Sequence, residues 1–388
     1  MKKMKIEYDI CIIGAGVIGA AIARELSQYN LNVLILEQNP SFALETSQGN
    51  SGLIHGGFDP TPGKLNAKLN QLGKERFKND WFKEMDFMHK NINSLVLAFD
   101  KNEEEHLTIL LNNGFKNGCE SNEIKIIDQD EILKMEPNLN QEVKKALLCT
   151  SSVVVDPVEL TGVLLKNAVK NGCAVYFNQK VVSIKKGEKL FNIKTDNNIF
   201  FTKKIINCAG HYADIIAKFA GYNDFDLSTR RGEYLILNKS ELNCVNNVLF
   251  MVPSIYGKGV IIAPTLTGKI LVGPTTEDDV PKEDTRLITK KMEENIIKIG
   301  KKIVPNLDVT KIFLRFSGSR PIHKESDDFY IKFAKMDNDF INVAGMKSPA
   351  LSAAPAIADY VIAMLQEEEK FIKKNNWDPL EKNILYKK

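Results

Sequence analysis

The stretch from residue 8 to residue 37, YDICIIGAGVIGAAIARELSQYNLNVLILE, decides the fold of this chain. An apolar run with the length of a buried parallel strand leads directly into Gly14, Gly16 and Gly19. In this arrangement the first glycine allows a tight turn, the second lets a pyrophosphate approach the backbone, and the third lets helix and strand pack closely. A second apolar strand ends on Glu37, whose carboxylate can accept hydrogen bonds from the ribose hydroxyls of an adenosine. The pattern predicts a dinucleotide-binding βαβ unit.

The composition is that of a globular protein. With 388 residues the chain is long enough for two packed domains of about 100–200 residues each. It is 44% hydrophobic and 26% charged, as globular chains are, and its net charge of +3 gives no basic face for nucleic acid. We therefore expect no nucleic-acid partner. Six cysteines without a CxxC pair predict buried thiols in a reducing compartment, and the five dispersed histidines suggest no metal site.

The start of the chain and its apolar segments bear on cellular location. The basic sequence MKKMKIEYD precedes the first strand and has no cleavage site behind it, which argues against a secretory signal. No run of about 18 or more apolar residues occurs, so we expect no transmembrane helix. These features favour a cytoplasmic protein. Peripheral attachment to a membrane and the oligomeric state are left open.

After the second strand the pattern changes. The sequence predicts a loop rich in Gly, Ser and Asn over 46–59, a helix over 64–92 and a mixed polar region over 93–149. Within that region, Asn-Gly pairs at 113–114 and 117–118 predict turns. A nicotinamide enzyme would usually continue here with further βαβ units, so the order of elements argues against that class.

The nucleotide fold resumes near residue 150 and then encloses a second sheet. Asp156 caps a predicted helix that Pro157 begins, since the proline ring presets the first turn. The next predicted strands are 173–184, 189–195, 198–202 and 204–210. A separate antiparallel sheet is predicted from strands 233–237, 247–252, 259–264 and 269–273. The remaining predicted elements are helices 211–220, 288–303 and 351–366, strand 312–317, and a strand from Phe340 that enters a turn at Gly345.

This order resembles the glutathione-reductase-like FAD fold of the D-amino-acid-oxidase superfamily. Ala23 matches its fingerprint, and Asn30 stands where a glycine is common but also tolerates the left-handed conformation. The resemblance implies a mixed α/β (α+β) class, with a Rossmann FAD domain interleaved with an antiparallel-sheet substrate domain. The FAD-binding domain is expected at 1–90, 150–222 and 325–388, and the substrate-binding domain at 91–149 and 223–324.

Six segments narrow the resemblance. They are ETSQGNSGLIHGGFDPTPGKL (45–65), TRRGEYLIL (229–237), FMVPSIYGKGVIIAPT (250–265), LVGPTTEDD (271–279), FSGSRPI (316–322) and GMKSPALSAAPAIA (345–358). They look like the α-glycerophosphate oxidases of mollicutes, and the likeness covers nearly the whole chain. It implies FAD as cofactor, with glycerol 3-phosphate and dioxygen as the two small-molecule partners.

Oxidation of a secondary alcohol needs a base for the hydroxyl proton, and His55 is the predicted catalytic base. Histidine is the side chain whose ordinary pKa lies nearest neutral pH. A lone histidine is more often structural, but His55 lies in a glycine-rich loop and matches the active-site histidine of the family. His89, His106, His211 and His323 are weaker candidates, and His211, beside the Ala-Gly turn, is the next to test.

The anionic end of the substrate needs fixed cations. Arg320 offers a planar, bidentate guanidinium from a turn bounded by glycine, and Lys258 offers a mobile point charge between two glycines. A surface role is the alternative for both, and the resemblance favours the substrate site. Asn50 and Ser348 are predicted to hydrogen-bond the glycerol hydroxyls or the phosphate. Which of Arg230 or Arg231 matters is left open.

The predicted cofactor-binding residues fall in four groups. The helix after the last glycine turn can direct its positive end at the flavin, where negative charge develops on reduction. The groups are Gly14, Gly16, Val17, Ile18, Gly19 and Glu37 in the first unit; Thr46, Ser47, Ser51, Gly52 and Leu53 in the loop; Val181 and Gly210; and Gly345, Met346, Lys347 and Ser352.

The expected activity is FAD-dependent oxidation of sn-glycerol 3-phosphate to dihydroxyacetone phosphate. The hydride goes to flavin N5, and dioxygen reoxidises the flavin to give hydrogen peroxide. The alternatives are a related FAD-dependent 2-hydroxy-acid dehydrogenase or amine oxidase, and a non-catalytic FAD-binding protein. A carboxylate substrate gives no evident use for both Lys258 and Arg320, which disfavours the first alternative.

Overall fold

The computed structural model describes residues 7–252 and 259–382. Its strands are β1 (Glu7–Ile13), β2 (Val33–Leu36), β3 (Leu53–Ile54), β4 (His89–Ala98), β5 (Ile124–Asp128), β6 (Lys145–Val155), β7 (Ala174–Tyr176), β8 (Val181–Lys186), β9 (Phe191–Thr195), β10 (Ile199–Asn207), β11 (Leu227–Leu237), β12 (Val248–Met251), β13 (Ile261–Pro264), β14 (Ile270–Gly273), β15 (Glu277–Asp278), β16 (Ile312–His323), β17 (Tyr330–Ala334) and β18 (Asp337–Ala344).

The helices lie between these strands and after the last one. They are α1 (Val17–Leu26), α2 (Leu65–Arg76), α3 (Phe82–Glu84), α4 (Lys101–Lys116), α5 (Gln129–Met135), α6 (Pro157–Lys170), α7 (Ala213–Phe219), α8 (Lys290–Ile303) and α9 (Ala350–Glu368). A π-helical turn at Phe77–Trp81 joins α2 to α3, and short 3₁₀ turns lie at Gly210–Tyr212, Lys282–Asp284 and Val309–Lys311.

β1 lies at the centre of a mostly parallel sheet. Among the residues described, this sheet has eight strands in the order β17-β18-β10-β1-β2-β7, with β9 also paired to β10 and β8 to β9. β1 pairs in parallel with β10 on one edge and with β2 on the other. Every residue of α1 is buried, because this helix packs against the sheet and against α6 and α9. The predicted strand–helix–strand unit is confirmed.

The second sheet is mostly antiparallel. Within residues 7–252 and 259–382 it has ten strands in the order β15-β11-β14-β13-β12-β4-β6-β3, with β16 on β11 and β5 on β6. β12 and β4 form a parallel pair. α8 contributes Ile296 and Ile303 to one apolar core, and α4 contributes Leu107 and Leu110 to another. The mixed α/β class with a parallel and an antiparallel sheet is confirmed.

The loop after β2 connects the two sheets and shapes the region between them. Its Thr46 hydroxyl donates to the carbonyl of Ser319 on β16 at 2.7 Å. A Cβ added to Gly318 would lie 2.0 Å from the Gly49 carbonyl oxygen, so only glycine allows the loop this close to β16. β3 at the end of the loop pairs with β6 of the second sheet. The loop therefore places residues 46–55 against both sheets.

The region 64–149 contains more regular secondary structure than the sequence predicts. The single helix predicted over 64–92 is wrong, because the helical stretch ends at Glu84 and β4 begins at His89. The turn predicted at 113–114 is also wrong. Gly114 lies inside α4, where a Cβ would come 3.0 Å from Ile124 and 3.3 Å from Phe58, so this glycine serves close packing. The turn predicted at 117–118 follows the end of α4 and is confirmed.

Two strand predictions in the nucleotide-binding half need correction. The strand predicted over 173–184 is two strands, because Asn178 takes a φ of 55° and the chain leaves β2 there to join β9. The strands predicted at 198–202 and 204–210 are one strand, β10, which pairs antiparallel with β9 in its first half. Its second half continues in parallel with β18.

The predicted domain ranges depart from the two sheets at three strands. β3 lies within the range 1–90 yet belongs to the second sheet, and β4 and β6, also of that sheet, cross the predicted boundaries at 90 and 150. The ranges themselves remain a prediction. None of the helices in the part of the chain that the structure describes has the length and apolarity needed to cross a membrane.

Candidate active site

A cavity of about 560 Å³ is lined by residues of both sheets and of the loop between them. It brings together most of the residues that the sequence predicts. They are Gly14, Gly16, Val17, Ile18, Gly19, Glu37, Thr46, Ser47, Asn50, Ser51, Leu53, His55, Val181, Gly210, Arg320, Met346, Lys347 and Ser348. Gly52, Gly345 and Ser352 lie next to lining residues without lining the cavity themselves. Lys258 lies outside the described residues.

The glycine loop after β1 brings backbone close to the cavity. Gly14 has a φ of +110°, and a Cβ there would lie 2.4 Å from the Cys208 carbonyl oxygen. A Cβ on Gly19 would lie 2.1 Å from the Gly14 carbonyl oxygen, so helix and strand meet at these two glycines. The N–H of Val17, in the first turn of α1, donates to the Ser47 hydroxyl at 2.9 Å. The positive end of α1 therefore faces the cavity, as an anion requires.

Glu37 is buried at the end of β2 and lines the cavity. Its Oε2 accepts from the N–H of Ala15 at 2.8 Å, and its Oε1 accepts from the N–H and the side-chain amide of Asn39, both at 2.9 Å. An ionised carboxylate has about four acceptor positions, so Glu37 can still accept one further hydrogen bond. The arrangement fits a contact with ribose hydroxyls, which remains a prediction.

Asn50 holds the loop in shape. Its amide donates to the carbonyls of Thr46 at 3.1 Å and Ser47 at 2.8 Å, and its Oδ1 accepts from the N–H of Gly52 at 2.8 Å. Both amide hydrogens are therefore used within the loop, and a substrate could bond only to the remaining lone pair of Oδ1. Gly52 has a φ of +64° and abuts the carbonyl of Val155, so it serves the turn. The predicted contact between Asn50 and the substrate remains untested.

His55 follows β3 and is half-buried in the cavity wall. Its Nε2 lies 3.0 Å from the Ser348 hydroxyl, and its backbone N–H donates to the Ser352 hydroxyl at 2.8 Å. The imidazole ring lies beside Phe250, with ring centroids 6.4 Å apart. Ser352 of α9 thus fixes the backbone of His55 through a hydrogen bond. Ser348 contacts the imidazole ring at the cavity surface.

The other histidines divide into one that lines the cavity and three that do not. His89 is exposed and stacks on Phe82, His106 lies on α4, and His323 bonds Ser326. His211 lines the cavity, and burial lowers its pKa to about 4, assisted by the positive charge of Lys282. It is therefore a neutral side chain and a weak base near pH 7.

Of the arginines on the β11–β16 ladder, Arg230, Arg231 and Arg320 lie nearest the cavity, and they differ in their partners. Arg230 lines the cavity but is held by Asp278, with Nε–Oδ1 at 2.5 Å and Nη2–Oδ2 at 3.2 Å. Arg231 is buried against Glu277 and Glu233 and does not line the cavity.

Arg320 also lines the cavity, but it lies within β16, paired with β11, and the prediction that it comes from a turn is wrong. Its positive charge acts on the phenol of Tyr234, where it opposes the rise in the pKa caused by burial. No carboxylate within residues 7–252 and 259–382 pairs with Arg320. It is therefore available to an anion in the cavity.

The last glycine turn lies where the sequence predicts, between β18 and α9. Gly345 has a φ of +69°, and a Cβ there would come 3.1 Å from the Asp328 carbonyl oxygen. Met346, Lys347 and Ser348 follow it along the cavity, and the Lys347 ammonium pairs with Asp327. The residues after Gly345 therefore line the cavity, while Gly345 itself allows the turn in the backbone.

Several lining residues escaped the sequence analysis. Tyr234 and Phe250 lie within segments that carry the resemblance, yet neither was assigned a role. The alternation of side chains along a strand would have found Tyr234, because it shares a face with Arg230 on β11. Glu45 could have been found beside Thr46 in the loop. Burial raises the pKa of the Glu45 carboxyl, which lies 4.0 Å from His211.

Comparison with known proteins identifies relatives over nearly the whole chain. A model of the family described as FAD dependent oxidoreductase matches residues 9–364. The glycerol 3-phosphate oxidase of Mycoplasma pneumoniae is 44% identical over 375 residues, covering 95% of this chain and 97% of the relative. That of Mycoplasma genitalium is 42% identical over 375 residues, covering 96% and 97%. A solved structure is also similar, that of the dithionite-reduced L-α-glycerophosphate oxidase of Mycoplasma pneumoniae with FAD bound. It is 42% identical with a TM-score of 0.94, and the match covers 97% of this chain and 99% of the solved chain.

Proposed function

The chain belongs to the FAD-dependent oxidoreductase family, and we propose that it oxidises sn-glycerol 3-phosphate with dioxygen as electron acceptor. The substrate would lose two electrons and two protons to give dihydroxyacetone phosphate, and dioxygen would gain them to give hydrogen peroxide. The observation that carries the proposal is one cavity in which a histidine and an arginine without a carboxylate partner face the same space. Relatives named glycerol 3-phosphate oxidase, more than two-fifths identical, support the choice of substrate.

The residues around the cavity fit FAD. Both imidazole nitrogens of His211 are buried and lack a hydrogen-bond partner among the described residues, so the occupant of the cavity has to supply one. A Cβ on Gly16 would reach the Ser47 hydroxyl at 3.0 Å, so the glycine keeps this part of the cavity open. Gly14 to Gly19 and Ser47 would hold the pyrophosphate, and Glu37 and Val181 the adenosine. When bound, FAD supplies a hydride acceptor at N5 of its flavin.

We assign proton removal to His55. Its Nε2 is the ring nitrogen beside Ser348 at the cavity surface, so this atom would take the hydroxyl proton of the substrate. An unprotonated Nε2 has one lone pair, so the Ser348 hydroxyl would leave this nitrogen when the substrate binds and could then contact the substrate. The hydrogen bond from the His55 backbone to Ser352 keeps the base fixed on α9.

We assign the phosphate to Arg320. A phosphate monoester carries about −1.5 to −2 charges at pH 7, and the planar guanidinium can donate two parallel hydrogen bonds to it. Arg230 is a weaker candidate because Asp278 already holds its guanidinium. Lys258 is proposed as the second cation on the evidence of the sequence alone.

We also propose a cytoplasmic location. Cys11, Cys119, Cys149, Cys173 and Cys208 are buried free thiols, and such thiols persist in a reducing compartment.

Aerobic turnover tests the proposal as a whole. We expect the purified protein to consume glycerol 3-phosphate and to form one peroxide per dihydroxyacetone phosphate, with little activity on glycerol. Reduction of the flavin by glycerol 3-phosphate without peroxide in air would contradict the choice of acceptor. A wild-type enzyme loaded with FAD that leaves glycerol 3-phosphate untouched would contradict the choice of substrate.

A further inference from the structure

One face of the β11–β16 ladder has a regular pattern near the cavity. Residues opposite each other in an antiparallel pair share a face, as do residues two apart on one strand. The pairs on this face are Arg230 with Arg320, Gly232 with Gly318, and Tyr234 with Phe316. Two arginines are therefore followed by two glycines and then by two aromatic rings. The glycine pair leaves a gap between the charged and the aromatic parts of the face.

The Arg320 side chain folds back into this gap. A Cβ added to Gly232 would lie 3.1 Å from Nη2 of Arg320 and 2.7 Å from Cβ of Pro274, so the guanidinium and the proline ring both pack over the glycine. From there the positive charge of the guanidinium acts on the phenol of Tyr234, two residues beyond Gly232 on the same face of β11, where it opposes the rise in the pKa of that group. Gly318 completes the gap, because a side chain there would collide with the loop at Gly49. The glycine pair thus lets the loop, the guanidinium and the phenol meet.

Tyr234 is fixed more firmly than the arginine that it contacts. Its ring is 4% exposed and stacks on Phe316, with centroids 4.6 Å apart and planes 3° from parallel. Burial raises the pKa of the phenol, so Tyr234 is neutral at physiological pH. A guanidinium can only donate, so towards Arg320 the phenolic oxygen can act only as an acceptor, and its own O–H remains a donor. Tyr234 lines the cavity, so this O–H can donate to an anion bound there.

We propose that Tyr234 is a specificity-determining residue that holds the Arg320 guanidinium in place and donates its own O–H to the phosphate of the substrate. The inference rests on the proposed function, since it takes glycerol 3-phosphate as the bound anion. With Tyr234 included, the anion site consists of two fixed donors, the phenol and the Arg320 guanidinium, rather than one flexible arginine. A fixed pair matches the several oxygens of a phosphate group, whereas a neutral alcohol has nothing for it to bind.

Replacement of Tyr234 by phenylalanine tests the inference in the FAD-loaded enzyme. The ring and its stacking on Phe316 are kept, so FAD content and melting temperature should match wild type. We expect the KM for glycerol 3-phosphate and the dissociation constant of inorganic phosphate to rise about 10- to 100-fold, with kcat within about two-fold. The phosphate constant is read from the perturbation of flavin absorbance. Tyr330→Phe is the matched control, because Tyr330 is buried and stacks on Phe225 away from the cavity.

The outcomes separate Tyr234 from the choice of substrate. KM and phosphate affinity within about two-fold of wild type, or a loss confined to kcat, would overturn the inference. In an Arg320→Ala background, Tyr234→Phe should have a smaller effect than in wild type, and equal effects would refute their joint action. Wild type inactive on glycerol 3-phosphate would contradict the proposed function instead, and the phosphate titration would still decide the role of Tyr234.

Discussion

At the scale of single residues, base and anion site come from distant strands of the same antiparallel sheet. His55 follows β3 and is held by two serines before and within α9, whereas Arg320 comes from β16. Neither role needs an unusual side chain. Each depends on its surroundings: two serines contact His55, and no carboxylate within the described residues pairs with Arg320. Mutations of these residues should therefore separate chemistry from binding.

His55→Ala should remove the base and leave the cavity able to bind. General base catalysis contributes typically 10²–10⁴-fold, so we expect anaerobic reduction of the flavin by glycerol 3-phosphate to slow by about that factor. FAD content and phosphate affinity should stay close to wild type. His89→Ala is the control, because His89 is exposed and outside the cavity. A near-normal rate of flavin reduction in His55→Ala with FAD bound would show that His55 is not the base.

Arg320→Ala and Arg230→Ala should differ although both arginines line the cavity. Loss of a charge-assisted contact corresponds to roughly 1.5–3 kcal/mol, so Arg320→Ala should raise the KM about 10- to 100-fold. Arg230→Ala should have a small effect, because its guanidinium is already bonded to Asp278. Steady-state kinetics with both variants checks this. A larger rise in KM for Arg230→Ala than for Arg320→Ala would mean that Arg230, not Arg320, binds the phosphate.

His211 should make the stability of the FAD-free protein depend on pH. Its folded pKa of about 4 lies below the ordinary value of 6.5, so the unfolded chain binds the proton more readily. Stability from this group is complete above about pH 6.5 and declines as pH falls toward 4, by about 3 kcal/mol in total. Lys282, Asp214, Glu283 and Glu45 face the same imidazole and titrate or act alongside it.

The comparison of wild type with His211→Gln isolates this contribution. Urea unfolding between pH 4 and pH 7 should show a smaller loss of unfolding free energy in the variant, because glutamine does not titrate there. Parallel curves for the two proteins would mean that His211 does not carry the lowered pKa.

At the scale of elements, the parts predicted correctly are those whose sequence carries its own geometry. β1, α1 and β2 follow from glycine spacing and apolar runs, and α6 follows from its Asp cap and Pro start. The incorrect predictions lie where tertiary contacts determine the secondary structure. Gly114 sits within a helix because Phe58 and Ile124 need the room, and the chain between β7 and β8 changes partners at Asn178. A local pattern contains neither fact.

The turn between β1 and α1 allows a test of the cofactor site at this scale. Gly16→Val should give a folded protein that retains little FAD, because the nearest obstacle to a side chain is the movable Ser47 hydroxyl at 3.0 Å. Gly19→Ala should instead unfold more readily, since its Cβ would meet the Gly14 carbonyl oxygen at 2.1 Å. Flavin content after purification, together with thermal unfolding, checks both. A Gly16→Val protein with full FAD would contradict the assigned pyrophosphate site.

At the scale of the whole molecule, the site exists because a loop joins a parallel sheet to an antiparallel one. The sequence predicted the two sheets and FAD, and most of the site residues that it predicted line one cavity, because the segments that carry the resemblance all return to it. It assigned residues 91–149 to the domain of the second sheet but did not predict the strands β4, β5 and β6 there, since those strands pair over long distances along the chain. It also missed Tyr234, whose role appears only when β11 and β16 are aligned. The chemistry therefore depends on the docking of the two sheets more than on either one.

Anaerobic mixing of the FAD-loaded protein with glycerol 3-phosphate tests whether the cavity oxidises this alcohol and selects it by its phosphate. We expect rapid loss of the oxidised flavin absorbance with glycerol 3-phosphate and slow loss with glycerol at the same concentration. Arg320→Ala should abolish most of that difference. Equal rates with the two alcohols, or no bleaching by glycerol 3-phosphate, would contradict the proposed function.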